Sequence, residues 1–285
     1  MIDAYLDSLQ AQGKSLATLK TYRTQLNLFF RWLEGKGYES NPKDITQVDI
    51  ADYRNHLQEQ GRLPRTINTA LASIEAFCKW LVDEGHIPYN PADRVKRVKQ
   101  VEEPPKWLTR SERARLLRVA EREKDMRNTV LILTMLMSGL RASEVTSLKH
   151  DDIVIGERKG SIVVRQGKGN KRRTVPIEKD LRNWLGKYIA EVHPTGEWLF
   201  PSQRGERLTY DGLHSLCRNV GEKAKLDGLT PHMLRHTFGH ELATRGVPLQ
   251  VIASLMGHDN INTTMVYTTP GEDELQSAVD KLSYT

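Results

Sequence analysis

Apolar residues recur at intervals of three and four positions in four successive stretches of the N-terminal third of the chain. This spacing places them on one face of a helix and predicts an amphipathic helix in each stretch. The first predicted helix spans 2–12, and the second is capped by Ser15 or Thr18 and runs through Leu33. The third spans 48–60, and the fourth begins at Pro64. Glycine or proline follows each of them and marks its end. Four short helices with apolar faces favour a compact antiparallel helical domain.

A polar stretch without helical periodicity separates this part of the chain from the rest. Residues 91–105 read PADRVKRVKQVEEPP, with prolines at both ends. Such a composition favours an extended linker, because it offers little apolar surface to bury and prolines restrict helix formation. We therefore predict a helical domain at 1–92, a linker at 93–106 and a second domain at 107–285.

The second domain is predicted to be helical with one β-hairpin. A Thr-x-x-Glu capping-box pattern opens it, and the apolar run at 130–137 is typical of a buried core helix. Two apolar segments at 162–164 and 174–177 flank Gly-Lys-Gly-Asn, whose glycines suit a hairpin turn with Lys168 at its tip. Further helices are predicted at 141–148, 181–192 and 210–226. The predicted fold is mainly α with a small antiparallel β-sheet, in two domains.

The composition is typical of a globular protein with a positive charge balance. Of 285 residues, 38% are hydrophobic and 27% are charged, and no apolar run has the length that spans a membrane. The N-terminus lacks the basic and then apolar order of an export signal, so we expect a cytoplasmic protein. The net charge of +6 favours a polyanionic partner. Cys78 and Cys217 lie in separate halves without metal-ligand spacing, which is typical of reduced, buried thiols.

The candidate chemistry lies near the C-terminus. His232 and Arg235 are three residues apart, so a helix presents both on one face. His258 follows in a Met-Gly-His-Asp turn, and Tyr267 comes nine residues later. An arginine fork binds two phosphate oxygens at once, a histidine exchanges protons near neutral pH, and a tyrosine hydroxyl can be a covalent nucleophile. Together these residue types predict chemistry on a phosphodiester.

The order His-x-x-Arg, Gly-His and Tyr resembles the C-terminal half of the tyrosine site-specific recombinases, closest to the Xer-type branch and to transposon-encoded resolvases. The resemblance extends to Arg141-x-x-Glu144 and to the hairpin Lys168, in the same order along the chain. It implies a SAM-like core-binding domain of four helices followed by an α+β DNA breaking–rejoining domain. It also implies an enzyme for DNA integration or resolution that works through a 3′-phosphotyrosyl intermediate and strand exchange at a Holliday junction.

The resemblance also assigns roles to individual residues. Arg141 and Arg235 bind the non-bridging oxygens of the scissile phosphate, and Glu144 holds the first of these guanidinium groups. His232 takes the proton of the attacking Tyr267. The remaining candidates are the hydrogen-bond donor His258 and Lys168, which protonates the departing 5′ oxygen. In this scheme the chemistry needs neither a metal ion nor any other cofactor.

The implied partner is double-stranded DNA with a specific core recombination site, on which four copies of the chain assemble. An apolar stripe at 272–282 predicts a tail helix, which either passes to a neighbouring protomer in cyclic exchange or folds back on its own chain. We expect no membrane partner. Basic side chains on the helical domain and at the hairpin are candidate DNA contacts: Lys14, Arg23, Arg65, Lys79, Lys171, Arg172 and Arg173. The short stretch before the first helices favours an enzyme that acts at a simple core site.

Other interpretations of the same residues stay open. One is a non-catalytic DNA-binding regulator on this scaffold, and another is a type IB topoisomerase, which shares the chemistry but relaxes supercoils. A zinc site is a further possibility, since His232, His236 and His240 recur every four residues. The cation of Arg235 in the same turns opposes a dication, and no His-Glu-x-x-His motif or cysteine cluster completes a site. We therefore predict no metal.

Overall fold

The computed structural model describes residues 1–37, 41–100, 105–122, 125–165, 172–192, 196–258 and 262–265. The chain divides into two compact units, Met1–Glu103 and Pro104–Thr285. The first unit is helical, and the second combines helices with a small antiparallel sheet, which confirms the predicted fold class. The finer division into 1–92, 93–106 and 107–285 stays a prediction. Within the described ranges, no helix is both long and apolar enough to cross a bilayer.

In the described part of the first unit, four α-helices follow the apolar spacing of the sequence. They are α1 (Ile2–Ala11), α2 (Leu16–Gly35), α3 (Gln47–Glu59) and α4 (Pro64–Asp83). The hydroxyl of Ser15 accepts the Thr18 N–H at 3.2 Å and so caps α2. Pro64 occupies the first turn of α4, where its missing N–H costs nothing. The apolar faces meet in one core, in which Phe29, Ile74 and Phe77 are fully buried.

The predicted linker packs in part against the first unit. The side-chain amide of Asn68 donates to the Val98 carbonyl and accepts the Val98 N–H, both at 2.9 Å. Arg54 donates to the Lys96 carbonyl at 3.2 Å, and Val95 packs against the helical core. Residues 95–100 form neither helix nor strand, and these contacts hold them against α3 and α4. Local composition does not reveal these contacts, because the partner amide lies thirty residues earlier.

Helices of the second unit surround a continuous apolar core. In chain order they are α5 (Arg110–Arg122), α6 (Met126–Ser138), α7 (Ala142–Val145), α8 (Lys179–Val192), α9 (Tyr210–Lys223), α10 (Pro231–Thr244), α11 (Leu249–Met256) and α12 (Asn262–Met265). The predicted capping box opens α5, since Thr109 and Glu112 exchange hydrogen bonds at 2.8 and 3.3 Å. The apolar run predicted as a core helix is α6, and most of its side chains are buried.

A three-stranded antiparallel sheet packs on this core in the order β1 (Ile153–Ile155), β2 (Gly160–Val164) and β3 (Arg173–Ile177). Ile162 pairs with both Ile153 and Val175, which fixes the register. The sequence predicts β2 and β3 but not β1, whose three residues are too few to show an alternating pattern. The hairpin tip with Lys168 lies outside the described residues.

The two cysteines lie in separate cores, one in each unit. Cys78 and Cys217 are free and buried. Burial raises the pKa of each thiol to about 12, so neither carries a reactive thiolate at neutral pH.

Candidate active site

The junction between α6 and α7 brings the helix α10 close to the backbone. α6 ends at Gly139, whose φ of 63° lies in the left-handed region. The ring of Phe238 on α10 fills the space that a Cβ at position 139 would need, with Phe238 Cε1 only 2.7 Å from that point. Only glycine satisfies both the backbone conformation and this close approach. As a result, the Gly139 carbonyl is within reach of side chains on α10.

Arg235 lies on α10 and uses this close approach. Its Nη1 donates to the Gly139 carbonyl at 2.6 Å, and its Nη2 donates to the Met256 carbonyl at the end of α11 at 2.9 Å. The residue is only 4% exposed. A buried guanidinium must be hydrogen-bonded to be tolerated, and these two carbonyls hold it in a fixed orientation. Arg235 is therefore a preorganised cation that ties three segments of the second unit together.

Arg141 stands at the N-terminus of α7 and is held by a carboxylate one turn later. Its Nη1 donates to Glu144 Oε1 at 2.9 Å, and its backbone N–H donates to Glu144 Oε2 at 2.8 Å. Its Nη2 donates to the Gly257 carbonyl. The side chain keeps 25% of its surface exposed. The predicted ion pair is present, but the helix that follows covers only Ala142–Val145 and does not reach 148 as predicted.

Glu144 is almost fully buried and accepts from two arginines. Arg173, at the start of β3, donates from Nη1 to Oε1 and from Nη2 to Oε2, each at 2.8 Å. Burial acts to raise the pKa of Glu144, but the hydrogen bonds and charges of Arg173 and Arg141 outweigh it and hold the pKa below its usual value. Glu144 is therefore an anion at neutral pH, and its negative charge fixes two guanidinium groups.

The alternation of side chains along β3 is a sequence signal for the inward direction of Arg173. Arg173 alternates with Val175 and Ile177, both buried, so all three point to the same face of β3. Its guanidinium also donates to the Leu255 carbonyl at 3.2 Å and to the Met256 carbonyl at 3.3 Å. Arg173, a predicted DNA contact, thus directs four of its N–H groups into the second unit.

His258 is the next residue in the chain after the turn that ends α11. Gly257 ends α11 with a φ of 68°, and His258 Nδ1 lies 2.8 Å from the hydroxyl of the buried Thr264. Burial lowers the pKa of His258 to about 4, and the neighbouring cations of Arg235 and Arg141 add to this effect. The imidazole is therefore neutral at pH 7 and has one donor and one acceptor nitrogen.

His232 lies in the first turn of α10 and is exposed, one turn before the buried Arg235. Its ring packs on that of His236, with centroids 5.7 Å apart. Burial lowers the pKa of His236 to about 4, and electrostatic interactions with His232 and Arg235 add to this effect. His240 stacks on Trp107 with centroids 4.1 Å apart. In the described part of the chain, no group of three potential ligands is arranged to hold a metal ion.

Two of the six catalytic candidates, Lys168 and Tyr267, lie outside the described residues, and so does Lys171. Of the other candidate DNA contacts, Lys14, Lys79 and Arg172 are exposed. Arg23 is also exposed and forms an ion pair with Asp3 at 2.7 Å. Arg65 lines an open groove of about 550 Å³ between α2 and α4. Of the candidate site residues, the structure brings Arg141, Glu144, Arg235 and His258 together from distant parts of the sequence.

The family comparisons match both units of the chain. The sequence profile of the phage integrase family matches residues 106–274, and the profile of the phage integrase N-terminal SAM-like domain matches residues 2–85. The tyrosine recombinase XerA of Thermococcus kodakarensis is 37% identical over 193 residues, which is 67% of this chain and 67% of that protein. The tyrosine recombinase XerA of Pyrococcus horikoshii is 29% identical over 284 residues, which is 99% of this chain and 93% of that protein.

A solved structure shows that the fold is shared over nearly the whole chain. The site-specific recombinase XerH, in a post-cleavage complex with a palindromic difH substrate, aligns with a TM-score of 0.77 and 23% identity. The alignment covers 95% of this chain and 81% of that one.

Proposed function

The chain belongs to the phage integrase family and is a tyrosine recombinase, and we propose that it cuts and rejoins DNA at a specific core site through a 3′-phosphotyrosyl intermediate. The observation that carries this proposal is the shared turn at the end of α11. The carbonyls of Met256 and Gly257, two successive peptide groups, accept from Arg235 and Arg141, and His258 comes next in the chain. Two fixed guanidinium groups and an imidazole thus converge on one place.

Such an arrangement suits a phosphodiester in its transition state. Attack on phosphorus places additional negative charge on the non-bridging oxygens, and donors that are already fixed stabilise this charge without reorganising. Arg141 uses two of its five N–H groups on Glu144 and Gly257 and presents part of its surface to solvent. Neutral His258 can add a hydrogen bond through the ring nitrogen that does not face Thr264.

The remaining steps follow from residue chemistry. A tyrosine hydroxyl with an ordinary pKa near 10 must lose its proton as it attacks. In this scheme the exposed His232 receives that proton. The Tyr267 oxygen forms a bond to phosphorus, and the bond from phosphorus to the 5′ oxygen breaks. Lys168 supplies the proton that the departing 5′ oxygen needs. The covalent bond conserves the phosphodiester energy, so the reverse reaction with another 5′-hydroxyl rejoins a strand without ATP.

A trapping experiment tests this proposal. The full-length protein is incubated with a pool of duplexes that have randomised centres and carry a single nick. When cleavage occurs near the nick, the short 5′-hydroxyl strand diffuses away and the covalent adduct accumulates. We expect adducts with the unaltered protein and none with Tyr267→Phe, and sequencing of the trapped strands then identifies the core site. Binding without any adduct would contradict the proposal and support a DNA-binding regulator.

A second assay separates recombination from simple relaxation. A supercoiled plasmid that carries two copies of the trapped site should yield recombinant circles, because strands are exchanged between duplexes. Relaxed circles without recombinants would instead support a topoisomerase. We place the reaction in the cytoplasm because its substrate is DNA, and cell fractionation tests this location.

We further propose that four protomers assemble on DNA by exchanging their tail helices. A groove of about 460 Å³ on the second unit supports this, because several apolar side chains line it: Leu117, Met137, Phe238, Leu242 and Leu255. The predicted tail helix at 272–282, which lies outside the described residues, has an apolar stripe that would fit such a groove. Leu242→Glu places a charge in the groove, so we expect mass measurement of DNA complexes to show fewer than four protomers. Normal tetramers in this variant would contradict the exchange.

A further inference from the structure

We propose that Arg173 is a positioning residue for strand cleavage, which acts by holding Glu144 and, through Glu144, the Arg141 guanidinium. This inference rests on the proposed function, because it concerns the same phosphodiester cleavage. It replaces the interpretation of Arg173 as a DNA contact. The residue belongs to a basic run that also contains Lys171 and Arg172, and its different role becomes visible only in its contacts.

The first argument is the number of donors that Arg173 already uses. An arginine side chain carries five N–H groups. Nη1 and Nη2 donate to the two oxygens of Glu144, Nη2 also donates to the Met256 carbonyl, and Nε donates to the Leu255 carbonyl. Four of the five donors are therefore directed into the protein. A two-pronged phosphate contact needs two N–H groups that reach the ligand, and Arg173 has only one left.

The second argument is that each carboxylate oxygen of Glu144 accepts hydrogen bonds from both Arg141 and Arg173. Oε1 accepts from Arg141 Nη1 and from Arg173 Nη1, at 2.9 and 2.8 Å. Oε2 accepts from the Arg141 backbone N–H and from Arg173 Nη2, both at 2.8 Å. Each oxygen is thus held between the two arginines. Removal of Arg173 takes one donor from each oxygen of a buried carboxylate. Glu144 then keeps only its bonds to Arg141 and loses the contacts that fix both residues relative to β3.

The third argument is that Arg173 also holds the turn that both catalytic arginines share. The left-handed Gly257 packs on its guanidinium, since a Cβ at that position would lie 2.7 Å from Arg173 Cζ. The carbonyls that Arg173 binds, at Leu255 and Met256, directly precede the Gly257 carbonyl that Arg141 binds. The Arg173 side chain on β3 therefore fixes both the Glu144 carboxylate and the backbone segment whose carbonyl accepts from Arg141.

The test compares Arg173→Gln and Arg173→Lys with the matched control Arg165→Gln. Arg165 lies next to β2 in the same sheet and pairs with Asp152, another buried carboxylate. Among the residues that the structure describes, no hydrogen bond or ion pair joins it to a catalytic candidate. The probe is the nicked duplex recovered from the trapping pool, at saturating concentration and in single-turnover conditions. Both Arg173 variants should cleave about ten- to a hundredfold more slowly, since lysine keeps the charge but cannot form the two-pronged contact. Arg165→Gln should cleave at the unaltered rate.

DNA binding must be measured on the same proteins, because it separates positioning from phosphate contact. Each phosphate contact contributes about 0.9 to the slope of log affinity against log salt concentration. Arg173→Gln should leave this slope unchanged while the cleavage rate falls. A slope that becomes shallower by about one unit, with an unaltered saturated cleavage rate, would overturn the proposal and restore Arg173 as a DNA contact.

A double-variant experiment tests whether Arg173 affects the cleavage rate by positioning Arg141. In an Arg141→Lys background, Arg173→Gln should slow cleavage much less than it does alone, because the group that it positions is already gone. Multiplicative loss in the double variant would overturn the proposal, and so would loss of folding in both Arg173 variants while Arg165→Gln folds. If the unaltered protein forms no adduct, the proposed function fails. If it forms adducts and Arg173→Gln matches its rate, only this inference fails.

Discussion

Gly139→Ala should damage both the stability of the second unit and its chemistry. The change adds one methyl group at the end of α6, in a left-handed backbone conformation and against the ring of Phe238. Either the ring or the backbone must move. Since the Gly139 carbonyl accepts from Arg235 Nη1 at 2.6 Å, a backbone shift also displaces the guanidinium that we propose binds the scissile phosphate.

The expected magnitude has two parts. A non-glycine residue in the left-handed region costs roughly 1–2 kcal/mol. Insertion of a methyl group into a filled core costs about 1–3 kcal/mol more, because neighbours are forced from their preferred rotamers. The sum is about 2–5 kcal/mol in the free energy of unfolding. A factor of ten corresponds to about 1.4 kcal/mol, so the most protected amides of α6 should exchange at least roughly thirtyfold faster.

Gly246→Ala is the matched control for the backbone part alone. Gly246 follows α10 in the same unit with a φ of 74°, but a Cβ there meets nothing within 4 Å. This variant should cost about 1–2 kcal/mol and leave cleavage unchanged. Hydrogen exchange read by mass spectrometry compares α6 peptides in both variants, and peptides from α4 in the first unit serve as an internal reference. Single-turnover cleavage of the nicked duplex provides the functional measurement.

Two outcomes would refute this reasoning. Equal destabilisation by Gly139→Ala and Gly246→Ala would mean that the Phe238 ring yields freely and that the close approach is not a constraint. Unaltered cleavage by Gly139→Ala would mean that the Gly139 carbonyl does not fix Arg235. If the reasoning is right, Phe238→Leu combined with Gly139→Ala should recover part of the lost stability, because the smaller side chain leaves room for the methyl group.

Other measurements check separate parts of the structure. His258 and His236 have a pKa of about 4 against an ordinary value of 6.5, so the unfolded chain takes up protons first as the pH falls. The free energy of unfolding of the second unit should therefore decline from about pH 6.5 to about pH 4 in urea titrations, and less steeply in His258→Gln; an equal slope would contradict the assignment. Thr237→Val removes the hydroxyl that accepts the buried Leu108 N–H at 2.9 Å, and it should cost about 1–3 kcal/mol of unfolding free energy. Thr244→Val, at an exposed position of the same helix, should cost almost nothing, and equal costs would count against a buried bond.

The helical framework could be predicted because its signals are local. Ser15 caps α2, Pro64 opens α4, and Thr109 pairs with Glu112 within one turn. Each of these interactions spans three residues or fewer, so the sequence alone contains both partners. The strand β1 has no such signal, because its three residues become a strand only by pairing with β2.

The candidate site could be predicted in part. Arg141 and Glu144 are one turn apart, and their ion pair follows from that spacing. The contact of Glu144 with Arg173 spans 29 residues, and that of Arg235 with Gly139 spans 96 residues. No local pattern contains both partners of these bonds. The recognition of His232 and Arg235 as one motif likewise does not reveal that the first is exposed and the second is buried.

The acceptors that hold the arginines in place have a consequence for how this protein can evolve. Peptide oxygens at 139 and at 255–257 receive guanidinium N–H groups, and no amino-acid replacement removes a peptide oxygen. The side chains of Leu255 and Met256 can therefore drift within the limits of packing while the electrostatic arrangement stays the same. What must be inherited is the path of the main chain, and that path depends on two residues without a side chain, Gly139 and Gly257.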